Sequence, residues 1–325
     1  MSPSLSRSIN YFGTGADIVG AMADMMCCAS CGKAEVDDVK LKKCACNLVK
    51  YCRIECQKNH RPQHKKACKK RLAEMRDDRL FTQPDGTHHG ECALCCLPLP
   101  IHTLKSGLYL CCGNYVCVGC SHANQNREFA AGMERKCPFC REPVPKSVPK
   151  SKDEVFSHLK KRVEANDPPS MRVMGTQCYG VRDYGVAFDY YTKAASLGDV
   201  ESHFLLSDMY RNGYGVEKNE KEELYHMEKA AIGGHPVARY NLGCYEGRTG
   251  RIDRMMKHFI IAAKLGYDSA LEQVKKGFQR GEVSKEDYAS SLRGHQAAVD
   301  ATKSEQREEA YAALKIRSSV QFLDT

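Results

Sequence analysis

The chain has 325 residues, 27% of them charged and 42% hydrophobic, with 49 basic and 40 acidic side chains, 19 cysteines and no tryptophan. That length predicts two or three domains, and no run approaches the eighteen or so apolar residues of a membrane-spanning helix. A formal charge of +9 raises nucleic acid or an acidic membrane surface as partners.

Residues 1–26 carry a lone Arg7 and no continuous apolar segment, which predicts a disordered leader rather than a secretory signal. Seventeen of the 19 cysteines then fall between Cys27 and Cys140. They come in short pairs among histidines and basic residues, with no export signal, and this favours zinc over disulfides. Zinc takes four thiolate or imidazole ligands at tetrahedral corners, so a closed site needs two such pairs. The first cluster supplies Cys28-x2-Cys31, Cys44-x-Cys46, Cys52-x3-Cys56 and His64-x3-Cys68, enough for two ions. The spacing of the last two pairs puts both members on one face of a helix.

The stretch YCRIECQKNHRPQHKKAC at 51–68 resembles a MYND finger in its Tyr-Cys, Cys-Gln and His-x3-Cys. The resemblance implies interleaved ligation, with Cys28, Cys31, Cys52 and Cys56 on one zinc and Cys44, Cys46, His64 and Cys68 on the other. Such interleaving ties distant segments together in a piece too small to fold on apolar burial alone. Two departures stand out. The second pair is one residue shorter than the usual C-x2-C, and Arg61 occupies the place of a tryptophan that helps build the family's peptide groove. His60 is an alternative ligand beside His64, and Cys27 reads as a spare thiol. Residues 69–87 read as a helical connector with Leu72, Met75, Arg79 and Leu80 near one face.

The second cluster, in a domain over 88–142, runs Cys92-x2-Cys95, Cys111-Cys112, Cys117-x2-Cys120 and Cys137-x2-Cys140. Its order and loop lengths resemble an all-cysteine RING finger. The resemblance implies that Cys92, Cys95, Cys117 and Cys120 hold one zinc and Cys111, Cys112, Cys137 and Cys140 the other, four zincs per chain in all. The family's histidine is absent, with Asn114 near its position, and His122 and Cys96 remain alternative ligands. A RING acts by positioning a ubiquitin-conjugating enzyme rather than through a catalytic side chain. The resemblance places that contact on Leu94, Pro138 and Arg141.

PVPKSVPKSK at 143–152 is a Pro-rich linker and the expected domain boundary, followed by a helix ending near Asn166. From 168 to 280 the marks KAASLG at 193, KAAIGG at 229 and IAAKLG at 261 recur at offsets of 36 and 32 residues, which predicts stacked helix pairs. The pattern resembles Sel1-like repeats. Gly198, Gly213, Gly215, Gly234, Gly247 and Gly266 are expected to end helices. The alanine pairs 194–195, 230–231 and 262–263 are expected to let helices approach closely. Tyr184, Tyr190, Tyr191, Tyr225 and Phe259 are expected in the core. Ser284 opens a capping box for a C-terminal helix to about Val299, within a final segment of helix and tail over 281–325.

The expected fold is therefore mostly α: two small zinc-stabilised α+β fingers followed by a helical solenoid. The expected function is intracellular, in cytoplasm or nucleus. The MYND finger and repeats would recruit protein partners, and the RING-like finger would serve as a ubiquitin ligase module or, alternatively, as part of a non-catalytic scaffold. Nucleic acid is not expected as a partner. The basic excess lies between Cys28 and Arg71, and four zincs on fifteen thiolates would bring the formal charge from +9 to about +2.

Overall fold

The computed structural model describes residues 27–33, 35, 40–102, 105–144 and 159–321, with side chains to 314. The expected leader at 1–26, most of the Pro-rich linker and the last residues of the tail lie outside the described residues. The fold is mostly helical, with short strands in the fingers and a helical repeat solenoid. It divides into two compact units, one ending at Leu80 and the other beginning at Phe81. The division thus falls before the second cysteine cluster rather than at the Pro-rich linker. The physical reason is that the second cluster packs on the solenoid.

In the first unit, β1 (Lys42–Lys43) and β2 (Lys50–Tyr51) form an antiparallel hairpin, with Lys42 opposite Tyr51. Cys28 bridges to Lys50 in parallel on the other edge of β2. Helix α1 (Ile54–Leu80) begins inside the finger and runs without a break, Pro62 included, into the expected connector, where it ends at Leu80, seven residues short of the connector's expected end. The connector's anticipated face is not uniform, since Leu80 is buried while Leu72 is exposed.

The second unit opens with the second finger, whose hairpin pairs β3 (Ser106–Tyr109) with β4 (Asn114–Cys117) and leads directly into α2 (Val118–Ala130). The solenoid follows as helix pairs: α3 (Pro168–Gly180) with α4 (Tyr184–Ser196), α5 (Val200–Asn212) with α6 (Glu220–Ile232), and α7 (Pro236–Arg248) with α8 (Ile252–Lys264). Then come α9 (Asp268–Gln279), α10 (Lys285–Ala301) and α11 (Glu305–Gln321). Caps fix these boundaries. Asp167, Asp199 and Asn219 accept backbone N–H groups at the starts of α3, α5 and α6, as Ser284 does from Asp287 at 3.0 Å for α10. The expected tail beyond Lys303 is helix α11.

All six paired alanines are buried. Gly198, Gly213, Gly215, Gly234 and Gly266 have the left-handed backbone that lets a helix stop and turn. Gly247 does not; it lies within α7 against Met255, and Gly250 takes the turn. Tyr191 and Phe259 are core residues and Tyr184 and Tyr190 pack against the core, but Tyr225 is exposed, with the Lys229 ammonium 5.5 Å from its ring centroid. Two further glycines set the helix spacing. A Cβ on Gly175 would meet the Tyr191 ring at 2.7 Å, and one on Gly243 would meet the Phe259 ring at 2.7 Å. The middle repeat carries Ser207 and Met227 at the corresponding positions. Gly243→Ala gains about 1 kcal/mol of helix propensity but overpacks a ring that cannot retreat. We therefore expect a net destabilisation of up to about 2 kcal/mol, read as a lowered midpoint in urea unfolding.

Candidate metal centres

Four tight loops carry the cysteine pairs, and three are built alike. The first cysteine's N–H bonds the carbonyl five residues on: Cys28 to Lys33 at 2.7 Å, Cys92 to Leu97 at 2.9 Å and Cys137 to Glu142 at 2.7 Å. Its carbonyl accepts from the residue four on, which has positive φ: Gly32, Cys96 and Arg141 respectively. The shortened Cys44-x-Cys46 loop keeps the outer bond, Cys44 N–H to Val49 at 2.8 Å. It closes the inner one a residue earlier, from Asn47, so the missing residue is absorbed without losing the turn. Cys117 instead caps α2, its sulfur accepting from the Cys120 N–H at 3.4 Å. Cys111 and Cys112 occupy the tip of the β3–β4 hairpin, where a positive-φ Gly113 lets both sulfurs face the same group.

The structure brings the sixteen candidate ligands into four groups: Cys28, Cys31, Cys52 and Cys56; Cys44, Cys46, His64 and Cys68; Cys92, Cys95, Cys117 and Cys120; Cys111, Cys112, Cys137 and Cys140. Within each, the ligand atoms lie within 4.8 Å of one another. Sulfur separations include Cys31 to Cys52 at 3.5 Å, Cys44 to Cys68 at 3.7 Å, Cys95 to Cys117 at 3.9 Å and Cys112 to Cys137 at 3.5 Å. A tetrahedron with metal–sulfur bonds of about 2.3 Å has edges of about 3.8 Å, whereas a disulfide is about 2.05 Å. The spacing fits a tetrathiolate ion. His64 Nε2 stands 3.0 Å from Cys46 Sγ, while His60 bonds the Tyr51 hydroxyl through Nδ1 at 2.9 Å and stays outside the group. Cys27, Cys96 and His122 also lie outside all four.

The electrostatics say the same. Burial opposes ionisation at Cys28, yet the backbone of Cys52, Cys31 and Ser30 outweighs it and lowers this thiol to about 6. In the same group burial, then hydrogen bonds to Cys31, Cys56 and Cys28, push Cys52 up to about 12. Burial also opposes ionisation at Cys92, whose thiol the backbone of Cys117, Cys95 and Leu94 lowers to about 6. Burial first raises Cys117 and Cys120 beside it. Cys44 and Cys140 are lowered while their neighbours Cys68, Cys111 and Cys137 are raised. In each group one thiol is lowered while at least one neighbour is raised, as crowded sulfurs behave until a cation neutralises them.

Sequence reasoning missed several supporting residues. Asn114, where the RING histidine was expected, donates its amide to Cys112 Sγ at 3.4 Å. Arg172 of α3 bonds the Tyr115 hydroxyl of β4. Arg307 of α11 reaches Cys95. Such contacts leave no mark in local spacing. Leu94 and Arg141 are exposed and Pro138 is half-buried.

A fifth group, His88, Glu201 and His235, joins the finger's leading loop to the starts of α5 and α7. The two imidazoles stack at 4.3 Å with planes only 9° apart, so no single ion can lie in both ring planes. His235 Nδ1 accepts from the Ala238 N–H at 3.1 Å, which leaves Nε2 to carry the proton toward Glu201 Oε2 at 3.3 Å. His88 Nε2 lies 2.8 Å from the same oxygen. This is a hydrogen-bonded junction rather than a metal centre.

Comparison with known proteins agrees with this division. Residues 28–68 match the family model of the MYND finger, a zinc-binding module, and residues 168–199, 200–235 and 236–267 match that of the Sel1 repeat. Neither match reaches the second cysteine cluster. No curated protein matches the chain. Among solved structures, a Sel1 repeat protein from Oxalobacter formigenes aligns with 18% identity over 55% of this chain and 52% of its own, at a TM-score of 0.41. The c5321 protein, a protective antigen present in uropathogenic Escherichia coli strains displaying an SLR fold, aligns with 21% identity over 59% of this chain and 45% of its own, at 0.40. The chain thus spans about half the length of these two proteins. No helix among the described residues is long and apolar enough to cross a membrane. The chain thus carries a MYND finger at residues 28–68 and three Sel1 repeats over 168–267, modules of zinc binding and protein interaction.

Proposed function

We propose that the protein is an intracellular scaffold holding four zinc ions in two cross-braced fingers, with the first finger and the solenoid engaging protein partners. The sixteen ligands assembled as four groups at tetrahedral spacing support it most directly. The two fingers would occupy 28–68 and 88–142, with the ligand sets as grouped above. Thiolate ligands persist in a reducing compartment, which fits cytoplasm or nucleus. Native mass spectrometry is expected to show four zincs per chain, falling to three in C112S; two in the wild-type chain would remove the second finger from this reading.

In the first finger, Tyr51, Cys52, Ile54 and Gln57 line a groove of about 340 Å³ together with Lys42, Lys43, Arg53 and Glu55. Three cations against one carboxylate, around an exposed Ile54, suit a peptide that carries an aliphatic residue next to acidic ones. The pair K42E/K43E is expected to weaken binding of such a peptide at least tenfold and to reverse its salt dependence, measured by fluorescence anisotropy. Unchanged affinity would place peptide recognition elsewhere.

The exposure of Leu94 and Arg141 favours a second reading, in which the second finger positions a ubiquitin-conjugating enzyme through Leu94, Pro138 and Arg141. An exposed guanidinium can bond two partners at once. Autoubiquitination by the full chain would then fall about tenfold in Arg141→Ala; activity indifferent to Arg141 and to chelation would leave the scaffold alone.

A further inference from the structure

Helix α11 lies against α2 of the second finger, and the contact centres on one side chain. Arg307 is fully buried. Its Nη1 donates to the carbonyls of Pro98 at 2.8 Å and Thr302 at 2.7 Å, and its Nη2 donates to Leu97 O at 3.2 Å and Cys95 Sγ at 3.4 Å. The neighbouring Gln306 side chain lies 3.7 Å from Cys120 Sγ. Gly119 makes room, because a Cβ there would stand 2.9 Å from the Arg307 backbone. Farther along, the Lys105 ammonium sits 4.7 Å from the Tyr311 ring centroid, and Ala310 is fully buried. These contacts join residues about 200 positions apart in sequence, such as Cys95 and Arg307 with a separation of 212.

A guanidinium taken wholly out of water needs a counter-charge; an unpaired buried ion is strongly destabilising. No ion pair joins Arg307 to a carboxylate among the described residues. The sulfur that meets the guanidinium is that of Cys95, 3.4 Å from Nη2. Four thiolates around a divalent ion carry a net charge of −2, spread over the sulfurs, and an N–H donor on such a sulfur is a good electrostatic match.

We propose that the C-terminal helix is a strap whose docking is coupled to metal in the Cys92, Cys95, Cys117 and Cys120 group, with Arg307 as the positioning residue that reads the site's negative charge. The inference rests on zinc occupying this group, as proposed above. With the ion in place the strap closes over the finger. Without it the loop that presents Cys95 Sγ, Leu97 O and Pro98 O to Arg307 loses its anchor, and α11 leaves. Reciprocally, an undocked strap exposes the sulfurs of Cys95 and Cys120 to solvent and to competing ligands.

The test uses the full chain, with zinc content counted by native mass spectrometry, zinc release timed against a chromogenic chelator and amide exchange followed over α11. Arg307→Met keeps the length of the side chain without its charge. It is expected to retain the wild-type zinc count when freshly loaded, to release one zinc at least tenfold faster, and to lose protection over 308–314. Arg307→Lys is expected to restore most of the slow release. C120S is expected to free α11, while C46S, in the other compact unit, leaves it protected. A wild-type chain without metal in this group overturns both the scaffold reading and the strap. Zinc present with release in Arg307→Met as slow as in the wild-type chain overturns the strap alone, as does Arg307→Lys releasing as fast as Arg307→Met. Equal loss of α11 protection in C46S and C120S also overturns it, by showing general unfolding.

Discussion

Stripping zinc from the full chain with a strong chelator at neutral pH is expected to unfold the first finger and leave the solenoid folded. The reason is the composition of the finger's interior. Its buried cluster consists of Cys28, Leu41, Cys44, Cys46, Tyr51 and Cys56, so all but Leu41 and Tyr51 are themselves ligands. Two apolar side chains contribute about 3–6 kcal/mol, far below the entropy cost of ordering some forty residues. A structural zinc supplies about 10–16 kcal/mol, and only that term makes the finger stable. The second finger has Leu99 and Val116 inside, Tyr109, Tyr115 and Phe139 against them, and the solenoid to lean on. It should loosen around its loops rather than dissolve. The solenoid core, around Phe259, Ala262, Ala263 and Val274 at one end and Tyr191, Leu206 and Met209 at the other, contains no ligand of the four groups. Amide exchange resolves the three regions: protection over 41–60 should vanish on chelation, and protection over 184–264 should persist. Retained protection at 41–60 after the zinc has demonstrably left would show a fold independent of metal.

Acidification is expected to act on the solenoid and on the loop that leads into the second finger. His258 is fully buried, its pKa lowered to about 3 by burial and then by Arg239 and Arg254. Burial, and then His203, lower His226 to about 4; burial, and then His88, lower His89 to about 4. An unfolded histidine takes its proton near pH 6.5. Below that pH the unfolded chain binds protons that the folded chain refuses, so stability present above pH 6.5 is lost as the pH falls toward 4. Each such histidine costs up to about 1.4 kcal/mol per pH unit, and the three together roughly 4 kcal/mol per pH unit. Glu201 adds to the effect lower down. Burial would raise its carboxyl, but hydrogen bonds to His235 and His88 outweigh burial and hold it well below the usual carboxylate range. Its contribution is therefore lost only below about pH 4.5. Urea unfolding at pH 7, 6 and 5, monitored by exchange over 184–264, should show this loss, and His258→Met should flatten the slope by about 1.4 kcal/mol per pH unit. A flat profile from pH 7 to 5 would mean that these imidazoles protonate freely in the folded chain.

Much of the architecture was legible in the sequence because it is written locally. A zinc loop needs its two cysteines within one turn, so the pairs betray themselves by spacing. A helix pair that recurs must repeat its small residues and turn glycines, so KAASLG and its two echoes reveal the solenoid. The shortened Cys44-x-Cys46 loop looked irregular in sequence and proved an ordinary turn closed one residue early. The packing role of Gly175 and Gly243 could have been found by aligning the repeats, where a ring in the second helix faces a glycine in the first. Gly247 was misjudged because a glycine at a helix end and one against a neighbouring methionine read the same in one dimension. What sequence could not carry is long-range pairing. Nothing near Arg307 announces that it closes on Cys95, and nothing near His88 points to Glu201. The Pro-rich linker therefore looked like the domain boundary while the second finger was in fact packed on the repeats that follow.

The distance along the chain between the second finger and its strap also sets an order of events during synthesis. At about 5–20 residues per second, the 212 residues separating Cys95 from Arg307 take roughly 10–40 s to appear. For most of that interval the finger is complete, with α2 uncovered and its sulfurs open to solution, so metal has free access before the strap exists. Loading first and closing afterwards is the route that never docks the strap on an empty site. A nascent chain paused within the repeats should accordingly hold zinc in the second finger, yet surrender it far more readily than the finished protein.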